Sequence, residues 1–173
     1  MGLTKQYLRY KCSGICNIVG SGRGGGVFLT KHVAAVASVG DVTFWDLRKK
    51  EKNKSLVVDS KKKIEVTCIA ANPSDNRLLA VGYSDGSIRL WDVTTREAEV
   101  TFTGHKTSVT CLGWDKPGLR LVSGSRDNNV IVWDVVAECG LARLQGHKVS
   151  SHFYMNALEL LVFNVIIHLT LTR

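Results

Sequence analysis

Short apolar runs separated by tight polar turns recur along the middle of this chain. LLAV at 78–81 and IRLW at 88–91 flank the polar segment SDGS, and LRLV at 119–122 and VIVW at 130–133 flank SGSRDNN. Such runs, bounded by Gly, Asp, Asn and Ser, predict pairs of strands joined by turns. Each second strand ends in Trp-Asp, with Asp85 six residues before Trp91 and Asp127 six residues before Trp133. The two stretches are therefore copies of one structural unit, 42 positions apart.

A third copy lies upstream. VAAVASVGDVTFWDL, residues 33–47, ends in Trp45-Asp46, 46 positions before Trp91, with a shorter turn that lacks the Asp. Gly104-His105 and Gly146-His147 recur at the 42-residue interval as well. A period of about 40–45 residues carrying Gly-His and Trp-Asp marks one four-stranded propeller blade per repeat. On these motifs the chain resembles the WD-repeat family over roughly residues 8–148. Trp114-Asp115 is out of register and reads as coincidence.

The expected fold is all-β: an incomplete WD-repeat propeller of about three four-stranded blades, at 8–58, 59–102 and 103–145, within a unit spanning 1–148. Closure takes typically four to eight blades, and open sheet edges invite pairing with a partner. Residues 8–19 read as the first strand of blade one, SGRGGG at 21–26 as a flexible turn leading into a strand at Val27, and Leu56–Val58 as the outer strand of that blade. The glycine run lacks the Gly-Lys-Ser/Thr and following helix that a phosphate loop needs.

Repeat three is the complete one. Repeat two has Lys61-Lys62 where Gly104-His105 stands in repeat three, and Val81 where Ser123 stands. The resemblance implies that His105, Ser123, Asp127 and Trp133 form the family's internal hydrogen-bond network, with Asp85, Trp91 and Trp45 as counterparts in the other repeats. A buried indole N–H wants an acceptor, and linked polar groups hold when every member is satisfied. Ser, His and Asp together also suggest a nucleophilic triad; their repeat-register positions beside a Trp favour structure over catalysis. No catalytic residue, cofactor or metal site is expected.

Beyond Lys148 the family pattern stops. Residues 149–173 form a divergent hydrophobic tail, with a helix-compatible apolar stretch from Ala157 to Leu171 that is short and interrupted for a membrane span. The expectation is a foreign tail from a truncated or mis-spliced transcript; the alternative is a short helix or strand covering an open edge.

Composition adds little to this picture: 173 residues, 45% hydrophobic and 22% charged, are ordinary for a globular chain. Five cysteines and a polar, basic start (MGLTKQYLRYK) point to a reduced intracellular setting. Cys68 and Cys111 share one repeat position and read as small core residues, whereas Cys12 and Cys16 lack the second Cys/His pair that zinc requires. Gln6 stands where a myristoylation signal needs Ser or Thr, and the acceptor triplet Asn53-Lys54-Ser55 is idle without secretion.

Charge changes more. The formal net charge is +8, and most of it sits between residues 48 and 63: Arg48, Lys49, Lys50, Lys52, Lys54, Lys61, Lys62 and Lys63 against Glu51 and Asp59. A local patch of this kind can hold phosphate by counterion release. Without an aromatic residue it has nothing to stack on bases, so it would position RNA rather than read sequence. An import factor and a merely solvated loop are the other readings.

The likeness also extends beyond the generic repeat. MGLTKQYLRY at the start, VTFWDLRK at 42–49, EVTC at 65–68, LAVGYSDGSIRLWD at 79–92 and VIVWDVVAECGLARLQGHK at 130–148 resemble the opening part of a two-propeller WD-repeat family of the small-subunit processome. That family assembles with U3 small nucleolar RNA in the nucleolus. The resemblance implies a non-catalytic scaffold in 18S rRNA maturation and ribosome biogenesis, with protein neighbours in a ribonucleoprotein, candidate RNA phosphate contact through the basic patch, and neither a small-molecule substrate nor a membrane. The alternatives are a generic interaction adaptor, such as a ubiquitin ligase substrate receptor, and an inert truncated product.

Overall fold

A computed structural model describes residues 25–57 and 64–145. Within them the chain forms twelve strands and no helix. β1 (Gly26–Phe28), β2 (Val33–Ala37), β3 (Asp41–Asp46) and β4 (Glu51–Val57) make one antiparallel sheet in sequential order. β5 (Val66–Ala71), β6 (Leu78–Tyr83), β7 (Ile88–Asp92) and β8 (Ala98–Phe102) make a second. β9 (Val109–Trp114), β10 (Arg120–Ser125), β11 (Val130–Asp134) and β12 (Cys139–Leu144) make a third. The three do not close into a ring: the architecture is an incomplete propeller, all β.

The sheets are held by their faces. Along β7, Trp91 and the Leu79 opposite it pack towards the first sheet with Ala35, Phe44 and Leu56. Leu90 and Ile88, on the other face, pack towards the third sheet with Val109, Leu121 and Trp133. The period of two that puts alternate side chains on opposite faces thus serves two cores at once. Neighbouring sheets meet mainly through β5 and β9.

The strand read at Val27 after the glycine run is β1, paired with β2 from Gly26↔Val36 to Phe28↔Ala34. Register fixes it there: Val27 sits opposite Ala35, on the face that meets the second sheet. Residues 8–19 lie outside the described part, as do Cys12, Cys16, Lys61, Lys62, Lys63 and the tail 149–173. The fourth strand is longer than expected, Glu51–Val57 rather than the run beginning at Leu56, because the Trp-Asp turn returns the chain directly into pairing with β3. Among the described residues no helix is long and apolar enough to cross a membrane.

Candidate functional site

The Trp-Asp pair is a turn device, built three times. In each sheet the Trp lies at a register shift between the third and fourth strands: at Trp45, Trp91 and Trp133. The Asp that follows caps the next turn. Asp46 Oδ1 accepts from the Arg48 and Lys49 amides, Asp92 from Thr94 and Thr95, and Asp134 from Val136 and Ala137. The residue four after each Asp takes a left-handed conformation: Lys50 (φ 56°), Arg96 (φ 64°) and Glu138 (φ 54°). Amide bonds hold the Asp46 and Asp92 carboxyls below the ordinary range. The turn constrains the backbone and leaves its intervening side chains free to vary.

In the third sheet the structure brings His105, Ser123, Asp127 and Trp133 together. Trp133 Nε1 donates to Ser123 Oγ at 2.8 Å, and Ser123 Oγ lies 2.7 Å from His105 Nε2. His105 Nδ1 lies 3.3 Å from both Asp127 oxygens, and Asp127 also accepts from the Lys106 and Asn129 amides. One proton arrangement satisfies every member: indole to Ser123, Ser123 hydroxyl to Nε2, and Nδ1–H to Asp127. It requires a neutral imidazole. Burial lowers the His105 pKa, against the opposing pull of Asp127. Burial works to raise Asp127, but the amides of Lys106 and Asn129 and the His105 ring outweigh it, leaving the carboxyl below its ordinary range.

This geometry is that of a clamp. The His105 side chain has 0% exposure, and the Trp133 ring stacks on Phe102 of the second sheet at 4.9 Å. Ser123 is committed to two buried nitrogens, so a substrate has no approach to its oxygen. Among the described residues no group of three or more His, Cys, Asp or Glu could hold a metal ion. Burial pushes the Cys68 thiol up to about 12, the behaviour of an unreactive core cysteine. Cys111, its counterpart, is only half-buried.

Repeat two solves the indole problem differently. Trp91 Nε1 donates to the Tyr83 hydroxyl at 3.0 Å. Tyr83 is two residues beyond Val81, hence on the same face of β6, and its longer side chain reaches the indole from there. Asp85 turns inward to its own loop, accepting from the Ser87 amide and hydroxyl. Trp45 is half-buried on the side of the first sheet turned away from the second.

Sequence reasoning missed the links between sheets. Trp114, read as coincidental, donates from Nε1 to the Ala70 carbonyl at 3.1 Å, joining the third sheet to the second. Asp115 caps its turn through the Leu119 and Arg120 amides. Buried Asn72 donates to Gly118 O at 2.8 Å, and Ser74 to Lys116 O at 3.2 Å. At the opposite end Gly86 (φ 89°) leaves room for the chain of the next repeat: a Cβ there would lie 2.7 Å from His105 O and 2.8 Å from Thr107 O.

Of the basic residues, Arg48, Lys49 and Lys50 form the exposed β3–β4 turn, Lys52 is exposed on β4, and Lys54 lies in that strand.

A family model described as the IFT140 first beta-propeller matches residues 28–169, running past Lys148. Human WD repeat-containing protein 3 is 46% identical over 98 residues, covering 54% of this chain and 10% of the relative. U3 small nucleolar RNA-associated protein 12 of Saccharomyces cerevisiae is 45% identical over 64 residues, 37% of this chain and 7% of its own. Pre-rRNA-processing protein IPI3 of Mycosarcoma maydis is 38% identical over 71 residues, 41% and 12% respectively. The chain therefore spans about a tenth of the length of these curated relatives. With that family match laid over three sheets that repeat one Trp-Asp turn, the chain belongs to the IFT140-type β-propeller family of WD-repeat proteins.

Proposed function

We propose that this chain is a non-catalytic WD-repeat scaffold acting in the nucleolus, where the small ribosomal subunit is assembled and 18S rRNA matures. The observation that carries the reading is the company of its relatives. One matching at 45% is named for association with U3 small nucleolar RNA, and one at 38% for pre-rRNA processing. The third-sheet polar network supports this reading, because its Ser-His-Asp set is buried and engaged with Trp133 rather than open to a substrate. Its work is then to present blade surfaces and turns to protein neighbours in a ribonucleoprotein.

The test is sedimentation. A tagged copy of the whole chain, expressed in cells, is expected in fractions with early pre-ribosomal particles and to co-precipitate U3 RNA. A chain that stays at the top of the gradient, while the homologous WD repeat-containing protein 3 sediments with particles, refutes the proposal.

A further inference from the structure

The turn at the end of the first sheet is unlike its two counterparts. The difference is charge: Leu47 N donates to His32 O at 2.8 Å, as Val93 N does to Arg77 O and Val135 N to Leu119 O in the other two sheets, and this shared bond holds the β1–β2 loop against the β3–β4 turn. Lys31 and His32 from the loop thereby join Arg48, Lys49, Lys50 and Lys52, all exposed. The corresponding turn of the second sheet carries Thr94, Thr95 and Arg96, and that of the third carries Val136, Ala137 and Glu138. Backbone geometry is the same in all three, so the cations are no requirement of the turn. Charge neutralisation differs too. Arg77, which occupies the His32 position in the second sheet, is paired with Asp75. Among the described residues the salt bridges are Arg77–Asp75 and His105–Asp127, and neither involves this cluster. Asp46 is held by the turn amides, and Glu51 is the remaining carboxylate beside it.

We infer that this end of the first sheet, formed by Lys31, Arg48, Lys49, Lys50 and Lys52, binds the phosphate backbone of RNA without reading its sequence. The inference rests on the assembly reading above for the presence of RNA, and on the cluster itself for the contact. Gathered like charges repel one another, and a polyanion relieves that repulsion while releasing its counterions. RNA fits better than an acidic peptide. Peptides are captured in grooves, pockets or along free strand edges. These cations stand on turn tips, and Lys52 marks the adjacent edge strand, β4, with a charge that discourages strand addition. The cluster also lies at the end of the sheet, so covering the sheet's open face leaves it accessible.

The experiment is fluorescence anisotropy of the full chain with a labelled single-stranded oligouridylate of about 20 nucleotides, titrated across a series of salt concentrations. Replacing Lys31, Arg48, Lys49 and Lys50 with Gln is expected to weaken binding at least tenfold at low salt. The slope of log affinity against log salt should fall by about 2–3, since each phosphate contact on a single strand contributes roughly 0.7. Two smaller variants separate site from bulk charge: Arg48→Gln/Lys49→Gln and Lys106→Gln/Lys116→Gln lose the same net charge. Equal weakening by both, or polyglutamate competing as well as RNA, overturns the inference. Variants are compared only where melting matches the parent; single Gln replacements serve where the multiple variant fails to fold. Loss of RNA binding with retained particle sedimentation separates this site from the scaffold reading.

Discussion

Trp91 and Trp133 hold the same place in successive sheets but give their indole protons to different acceptors, and that difference fixes an order of costs. Tyr83→Phe removes one oxygen without changing the ring's volume. The Trp91 indole, 6% exposed and bonded at 3.0 Å to the Tyr83 hydroxyl, is left without its acceptor. Stranding one buried donor costs about 1–3 kcal/mol. Ser123→Ala strands two groups: the Trp133 N–H at 2.8 Å and the His105 Nε2 at 2.7 Å. Its expected cost is about 2–4 kcal/mol, less than twice the single figure because the atoms left behind can shift slightly. For a chain of 173 residues each kcal/mol lowers the melting temperature by about 2–4 °C. Urea unfolding followed by tryptophan fluorescence reads both variants. A third variant probes the mechanism: Val81→Ser, made in the Tyr83→Phe background, places a hydroxyl at the position Ser123 occupies in the next repeat. It should cost less there than in the parent, where Tyr83 already serves the indole. If Tyr83→Phe is as costly as Ser123→Ala, or Val81→Ser costs the same in both backgrounds, the acceptor argument fails.

Other outcomes follow from the same geometry. Asp127→Ala deprives His105 and two amides of their acceptor and should cost about 1–3 kcal/mol; a melting temperature equal to the parent's would refute it. His105 has a lowered folded pKa, so the unfolded chain binds the proton more readily as pH falls below about 6.5, and stability should drop with a slope of at most about 1.4 kcal/mol per pH unit. Asp127, also lowered, adds a further loss as pH falls through and below the ordinary carboxylate value of 3.8. His105→Gln should flatten the upper part of that profile, and an unchanged slope between pH 7 and 5 would count against the neutral-imidazole arrangement. Glu138→Gly should raise stability by about 0.5 kcal/mol by relieving a left-handed non-glycine residue, while Glu138→Val should lower it by about 1 kcal/mol, both read by thermal melting. Gly86→Ala should cost more than about 2 kcal/mol, because both the positive φ and the His105 and Thr107 carbonyls oppose a Cβ.

How far the sequence reached depends on where each interaction begins and ends. The Trp-Asp pair was legible as a strand end repeated in register, whereas the turn that its Asp caps, with a left-handed residue four positions on, was not read, because Trp-Asp recurs while the turn residues after it differ between repeats. The residues His105, Ser123, Asp127 and Trp133 were read as a set through the resemblance to the WD-repeat family, which their repeat-register positions support. Tyr83 was not, because comparing Val81 with Ser123 shows a lost hydroxyl, whereas the replacement enters two residues further along the strand. Trp114 and Asn72 were missed for another reason. Their acceptors, Ala70 O and Gly118 O, lie 44 and 46 residues away on an adjoining sheet, and no periodicity within one repeat points to them. β1, only three residues long, was legible because the glycine run before it ends in the apolar Val27-Phe28-Leu29.

The three tryptophans also separate what a blade provides for itself from what its neighbour provides. All three share the register shift and the capped turn, which are properties of the single sheet. Their burial does not follow from those features. Trp133 is 5% exposed because the second sheet's Phe102 lies on its ring, and Trp91 is 6% exposed because the first sheet packs against its face. Trp45, with the same local structure and no described sheet on its face, is only half-buried. Among the described residues the second sheet therefore contributes an indole to the interface with the first and a covering surface to the third, so cohesion passes between neighbours rather than residing in any one of them. A substitution on a covering face, such as Phe102→Ala, should accordingly be felt at Trp133 in the following sheet more than among the strands of its own.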